Sequence, residues 1–227
     1  MTFSLRALAL GALSLSLAAC ASDTDTAEPL EGATEVATSP SAIPAGTYTL
    51  DASHSELGFR VRHLGIANVD GSFNDFSGEI VVPESGLEGM TAMVTAQVAS
   101  IDTDNDDRNG HLRSPDFFAA DEYPELVFQS TSVTPTGGDT FEMTGDLTMR
   151  GLTYPVTLQG EYLGAAEMRG TQKIGFEASG ELDRQQWGLS WAETNEAGEI
   201  IVGDNIRLMI SAEANLQAAE TMEGADA

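Results

Sequence analysis

The chain has 227 residues, and its 36 Asp plus Glu outnumber 10 Lys plus Arg, a formal net charge of −26. A surface of that sign repels nucleic-acid phosphates and anionic lipid head groups, which argues against nucleic acid as a partner. One cysteine cannot make a disulfide within the chain, so a hydrophobic core must hold the fold.

The amino-terminal stretch reads as an export signal. Met1–Arg6 carries one positive charge, Leu8–Leu17 is apolar, and Ala18 and Ala19 are small. The apolar run is too short to span a bilayer as a mature helix. Cys20 follows directly, and Leu17-Ala18-Ala19-Cys20 looks like a bacterial lipobox, where the signal is cut and the cysteine takes lipid. An odd cysteine in an exported chain favours this reading over an ordinary signal with a stray thiol. Ala21 and Ser22 lack the aspartate that favours inner-membrane retention, so the expected location is the periplasmic face of the outer membrane. Removing residues 1–19 takes away Arg6 and no acid; 10 − 1 leaves 9 basic residues against 36 acidic ones, a net charge of −27.

Residues 20–45 then comprise the lipidated cysteine and a flexible acidic tether, with a coil reach of about 25–30 Å. Residues 46–216 form one domain, and residues 217–227 an Ala/Glu-rich tail expected to be disordered. Within the domain the dominant period is two. From Phe141 to Arg150 every odd position is apolar or Gly and every even one is polar, the mark of a half-buried strand. Leu57, Phe59 and Val61 alternate in the same way, as do Ala92–Val98, Tyr154–Tyr162, Ile174–Leu182 and Ile206–Leu216. Asn74-Asp75, Pro135–Gly138 and Arg150-Gly151 supply turns between these runs. The fold class is therefore all-β, a barrel or a sandwich. Small residues on the apolar face (Ala92, Ala96, Gly145, Ala178, Gly180) favour an antiparallel barrel with room inside.

Four stretches together resemble one family. Tyr48–Ile80, RNGHLRSPDFFAADEYPELVFQST (Arg108–Thr131), GDLTMRGLTYPVTL (Gly145–Leu158) and LDRQQWGLSW (Leu182–Trp191) are similar, in order, to the signatures of the YceI-like bacterial periplasmic proteins. The resemblance implies an extended, eight-stranded, lipocalin-like barrel whose interior binds long isoprenoid chains such as polyprenyl compounds or quinone tails. It also allows a homodimer, although no strand here declares itself as an interface. The lipobox and the acidic tether depart from the simplest family member and argue against free diffusion through the periplasm.

Other chemistry fares less well. Asp102, Asp104 and Asp106 fit positions 1, 3 and 5 of an EF-hand loop, but Asp107 stands where Gly is needed and Arg113 where Glu is needed. The cluster reads instead as a helix start, with a Thr103/Asp106 capping-box pattern opening a short helix over roughly Asp104–Arg113. This helix lies in an insertion around 103–122, where Ser114-Pro115 starts a further turn. His54, His63 and His111 show no metal-ligand spacing, and no metal or cofactor is expected. A His111/Asp116 pair suggests acid–base work, but no nucleophile motif accompanies it, and His111 on a helix suits bonds to backbone carbonyls. No catalytic residue is assigned.

The expected ligand contacts are apolar: Phe59, Val61, Phe73, Phe76, Phe117, Phe118, Phe128, Met143, Leu147, Phe176 and Trp187. For each one alone, core packing is the ordinary role. At the barrel rim His63, Arg108 and Arg113, with Trp187 beside them, are placed to meet a head group. For the two arginines the alternative is ion pairing with nearby Asp residues, which are plentiful. The resulting expectation is a non-enzymatic carrier holding an amphiphilic isoprenoid lipid. The rivals are a stress-protection or interaction lipoprotein whose barrel is filled by its own side chains, and an enzyme acting on a bound lipid.

Overall fold

The computed structural model describes residues 41–218 apart from Glu199, all within the unit Ala37–Ala227. The expected signal, Cys20, most of the tether and most of the tail lie outside the described residues.

Among the described residues, eleven strands follow in order: β1 (Gly46–Leu50), β2 (Glu56–His63), β3 (Ala67–Phe73), β4 (Phe76–Val82), β5 (Thr91–Gln97), β6 (Ile101–Asp102), β7 (Glu125–Gly137), β8 (Thr140–Met149), β9 (Leu152–Met168), β10 (Thr171–Asp183) and β11 (Val202–Leu216). One α-helix, α1 (Asp106–Arg113), stands in the insertion between β6 and β7. All strand pairings are antiparallel. The order β1-β4-β5-β7-β8-β9-β10-β11 closes through β1 against β11 into an eight-stranded barrel, and β2-β3-β6 continue the wall along β11.

β1 and β2 together act as one barrel strand broken at residues 51–55. β1 pairs with β11 at Ala214–Leu216, and β2 pairs with the same strand from Ser211 back to Val202. β3 and β4 are likewise one strand broken at Asn74 and Asp75. Local chemistry sets the corners. Arg150 and Gly151 both have positive φ (51° and 70°) and form a two-residue hairpin loop between the paired Met149 and Leu152. That left-handed pair matches the twist of the flanking strands.

Two apolar clusters close the barrel. One gathers Tyr48, Ile80, Phe141, Tyr162, Ile174 and Phe176 at the end where β1 begins. The other gathers Phe117, Met149, Trp187 and Leu189 at the opposite end, beneath the insertion and the loop leaving β10.

One local expectation, the cap of α1, needs correction. The α1 N-cap is Asn105, whose side chain accepts from the Arg108 amide at 2.9 Å; Thr103 is buried and binds Asn109 instead. Ser114-Pro115 starts a further turn as expected: the Phe117 and Ala119 amides both return to the Ser114 carbonyl. Tyr154 keeps the face of Leu147, its cross-strand partner, and is 38% exposed close to the Arg150-Gly151 hairpin.

Candidate functional site

A cavity of about 260 Å³ runs along the barrel interior. β2 contributes Phe59 and Val61, β3 Phe73, β7 Phe128, β8 Met143 and Leu147, and β10 Phe176. The insertion covers one end with Phe117 and Phe118, both expected contacts, and with Leu112. Among the described residues, Ser55, Arg184 and Ser211 are the only lining residues with polar side chains. Ser55 is satisfied by the backbone of β11: its hydroxyl donates to the Glu213 carbonyl and accepts from the Glu213 amide, at 3.1 and 2.9 Å.

Glycines on the wall decide where the large rings lie. Phe59 is the cross-strand partner of Gly71, and Phe141 of Gly160; Phe128 lies diagonally over Gly145. A Cβ on any of these glycines would overlap the ring it faces. The missing side chains let the rings lie flat along the wall instead of standing into the lumen. The expectation that small inward residues leave room divides accordingly: Gly145 and Gly180 are covered by Phe128 and Leu158, whereas Ala92, Ala96 and Ala178 line the cavity.

Phe76 and Trp187 do not line the cavity. Phe76 is buried in the packed cluster at the β1 end. Trp187, 1% exposed, is packed in the cluster with Phe117, Met149 and Leu189, where its indole Nε1–H donates to the Leu147 carbonyl at 3.0 Å and its ring meets Tyr154 edge-on. Nor do the rim candidates meet the lumen. His63 ends β2, paired with Ala67 and Val202. Arg108 donates from Nε to the Thr103 hydroxyl (2.8 Å) and from Nη2 to the Thr103 carbonyl (2.6 Å). Arg113 donates to the carbonyls of Asn109 (3.0 Å) and Ala99 (3.2 Å). Both arginines fasten the insertion through backbone and hydroxyl acceptors rather than through the neighbouring carboxylates.

Arg184 carried no functional reading in the sequence. It opens the short 3-10 turn Arg184–Trp187 just past β10, is 2% exposed, and lines the cavity. Its Nε donates to the Gly203 carbonyl at 3.0 Å, Nη2 to the Val202 carbonyl and the Asp204 carboxylate at 3.2 and 2.8 Å, and Nη1 to the Leu189 carbonyl. It therefore clamps both ends of the loop between β10 and β11. The missed signal was an arginine at the boundary of an alternating strand, a position that reads as solvent-facing.

Two polar groupings lie off the cavity. His111 Nε2 and Asp116 Oδ2 are 3.1 Å apart, so the imidazole meets a carboxylate rather than the expected carbonyls, while its ring packs against Phe117 and Trp191. Both side chains are exposed, at 41% and 63%. At the break between β1 and β2, Asp51, His54 and Glu213 place ligand-type atoms within 4.8 Å of one another, a convergence invisible in the histidine spacing. Lys173 holds this cluster with its ammonium, donating to Glu213 (2.6 Å), Asn215 (2.7 Å) and Asp51 (3.4 Å). Hydrogen bonds from Ser53 and then His54 hold the Asp51 carboxyl far below the usual carboxylate range. The Glu213 hydrogen bond chiefly raises Lys173.

The model of the YceI-like domain matches residues 48–214. The chain belongs to the YceI-like family. A UPF0312 protein of Staphylococcus aureus (strain bovine RF122 / ET3-1) is 33% identical over 168 residues, covering 73% of this chain and 95% of that protein. The crystal structure of the Campylobacter jejuni YCEI protein matches with a TM-score of 0.60 and 34% identity, over 75% of this chain and 98% of that one. A polyisoprenoid binding domain from Saccharophagus degradans, implicated in plant cell wall breakdown, shares the fold with a TM-score of 0.57 at 16% identity, over 77% of this chain and 100% of that one.

Proposed function

We propose that this family member is a periplasmic, lipid-anchored carrier that holds a long-chain isoprenoid, a quinone tail or a similar amphiphilic lipid inside its barrel. The observation that carries the reading is the continuous apolar cavity, walled by Phe59, Phe128, Met143 and Leu208 and interrupted by so few polar side chains. Its volume of about 260 Å³ falls near the lower edge of ligand sites, roughly 300–1,000 Å³, and suits a narrow chain. Burying about 500 Å² of hydrocarbon at roughly 25 cal/mol per Å² gives about 12 kcal/mol gross, from which association costs of about 4–15 kcal/mol are drawn. The S. degradans domain, described as polyisoprenoid binding, supports the ligand class through its shared fold.

Binding rather than catalysis is the reading because the cavity lining offers no nucleophile–base pair, and the His111–Asp116 pair stands exposed outside it. In this reading Cys20 carries lipid, the domain faces the periplasm from the outer membrane, and the acidic tether gives it reach.

Organic extraction of the protein purified from its own host, with mass spectrometry of the extract, tests the ligand. A stoichiometric isoprenoid-chain lipid supports the proposal; repeated preparations without lipid overturn it. For the anchor, Cys20→Ser should move the protein to the soluble periplasmic fraction, and persistence in the membrane fraction would remove that part.

A further inference from the structure

We infer that the occupant enters and leaves through the side of the barrel, in the gap between β3 and the β8–β9 hairpin, and that residues 114–122 are the door across it, latched by Arg150. This rests on the lipid-carrier reading above and gives the cavity a route to the outside.

A paired wall is a poor place for an opening, because separating two strands leaves backbone N–H and C=O groups without partners. The ladder runs unbroken from β7 through β8, β9, β10, β11 and β2 to β3. There it stops. On its other side β3 is paired only at Ser72 and Phe73, with β6, so among the described residues 67–71 form a free edge. After Asp102 the chain leaves the wall, and it rejoins at Glu125, the start of β7. The insertion fills this interval. Its Leu112, Phe117 and Phe118 line the cavity together with Phe73 of β3 and Phe128 of β7.

The insertion is held unevenly. Its first half is tied down: Asn109 donates to the Asp102 carboxylate (2.9 Å) and accepts from the Thr103 amide (2.8 Å), and Arg113 donates to the Ala99 carbonyl (3.2 Å). In the second half, among the described residues, the backbone bonds of 114–122 all end within the insertion itself, on carbonyls such as His111, Leu112 and Ser114. The hydrogen bonds that join this segment to the barrel come from Arg150, whose Nη1 donates to the Phe117 carbonyl and, at 3.4 Å, to that of Pro115. Arg150 is half-buried in its hairpin loop. The remaining contacts are between rings: Phe118 meets Phe73 edge-on at 5.9 Å, and Phe117 meets Trp191 at 5.2 Å. Such apolar contacts are non-directional, and a passing hydrocarbon chain replaces them.

The two ends of the barrel are closed more firmly. At one, Tyr48, Ile174 and Phe176 stand on paired strands and are at most 5% exposed. At the other, Arg184 binds the carbonyls of Leu189, Val202 and Gly203 and the Asp204 carboxylate. Moving that loop would leave a buried guanidinium without its partners.

The test uses the full chain carrying Cys20→Ser, stripped of lipid by solvent, with a tetraprenyl quinone as probe. Entry is read from quenching of the emission of Trp187 and Trp191. Arg150→Asn removes the latch and keeps the turn, because Asn-Gly suits a left-handed two-residue hairpin loop. Uptake at saturating probe and release should each become about tenfold faster, as for loss of a hydrogen bond to a charged donor. The Kd should stay unchanged, since the latch closes over the empty and the loaded barrel alike. Unchanged rates overturn the latch.

A second variant tests the door without touching Arg150. Phe73→Cys/Phe118→Cys is bridged by a short bifunctional thiol reagent that takes the room of the two rings. Bridging before loading should block uptake, and bridging after loading should trap the probe. A bridged protein that loads as fast as its unbridged form overturns the door while leaving the carrier reading intact. Failure of the probe to enter any form, including one with residues 73, 118 and 150 unaltered, removes the carrier reading and the door with it.

Discussion

Phe141 lies across Gly160, its direct cross-strand partner on β9, so that the ring occupies the volume a side chain at 160 would need. The same relationship joins Phe59 to Gly71. It links wall packing to the lumen: the ring cannot lie flat unless its partner lacks a Cβ. None of these glycines has a positive φ, so adding a methyl group tests sterics alone. Gly160→Ala should destabilise the fold by about 1–3 kcal/mol, the usual cost of overpacking, and should push Phe141 into the cavity and weaken lipid binding. Gly110→Ala is the control. Its Cβ meets open space on α1, so the substitution should be neutral or stabilising by up to about 1 kcal/mol. Chemical denaturation and lipid titration of the two variants check both halves; equal behaviour of the pair would contradict the steric account.

Trp187 is predicted to be a structural post of the cluster that closes one end of the barrel. Trp187→Ala removes a fully buried ring and should cost about 3–5 kcal/mol. Trp187→Phe keeps most of the volume but frees the Leu147 carbonyl from its indole donor, and should cost about 1–3 kcal/mol. Denaturant midpoints measure both. Near-wild-type stability of Trp187→Ala would show that the ring carries little of the packing at this end.

The Asp51–Lys173–Glu213 cluster predicts how stability depends on pH. Asp51 has a lowered folded pKa. Its contribution is therefore present above the ordinary carboxylate pKa of about 3.9, and is lost as pH falls through the folded value beneath it. Lys173 has a raised folded pKa. Its contribution is present below about 10.4 and is lost as pH rises through the higher folded value. Thermal melts across pH should show a plateau near neutrality that falls off on both sides. Asp51→Asn should flatten part of the acid limb, and Lys173→Met should flatten part of the alkaline one. An unchanged acid limb in Asp51→Asn would contradict the assignment.

Arg108 is expected to anchor the insertion and not the ligand. Arg108→Ala should speed hydrogen exchange through residues 103–113, since it removes both bonds to Thr103, and should leave lipid binding unchanged. Weakened lipid binding with unaltered exchange would restore it as a rim contact.

The barrel itself was legible because inward and outward side chains alternate with the pleat. Phe141, Met143 and Met149 on β8, and Ile174 and Phe176 on β10, are buried where the period of two places them. Alternation tells which face a residue takes, but not what it meets there. Phe76 obeys the pattern and ends in a packed cluster; Phe128 obeys it and lines the cavity. Trp187 stands beyond the last paired residue of its strand, where the alternation no longer applies, and its direction follows from the 3-10 turn. The same break hid Arg184, whose burial depends on carbonyls as distant as Val202 and Gly203. Asn105 won the α1 cap over Thr103 because Thr103 was drawn into the buried Asn109 network, a tertiary choice no local motif records.

The central claim is that the lumen holds a chain-like lipid, and a crystal structure of the full protein purified from its own host tests it most directly. The account predicts continuous elongated density from beside Arg184 and Leu189, past Phe59 and Phe128, to Phe141 and Phe176. A lumen closed by the protein's own side chains, with those rings turned off the wall and no chain between them, would contradict it.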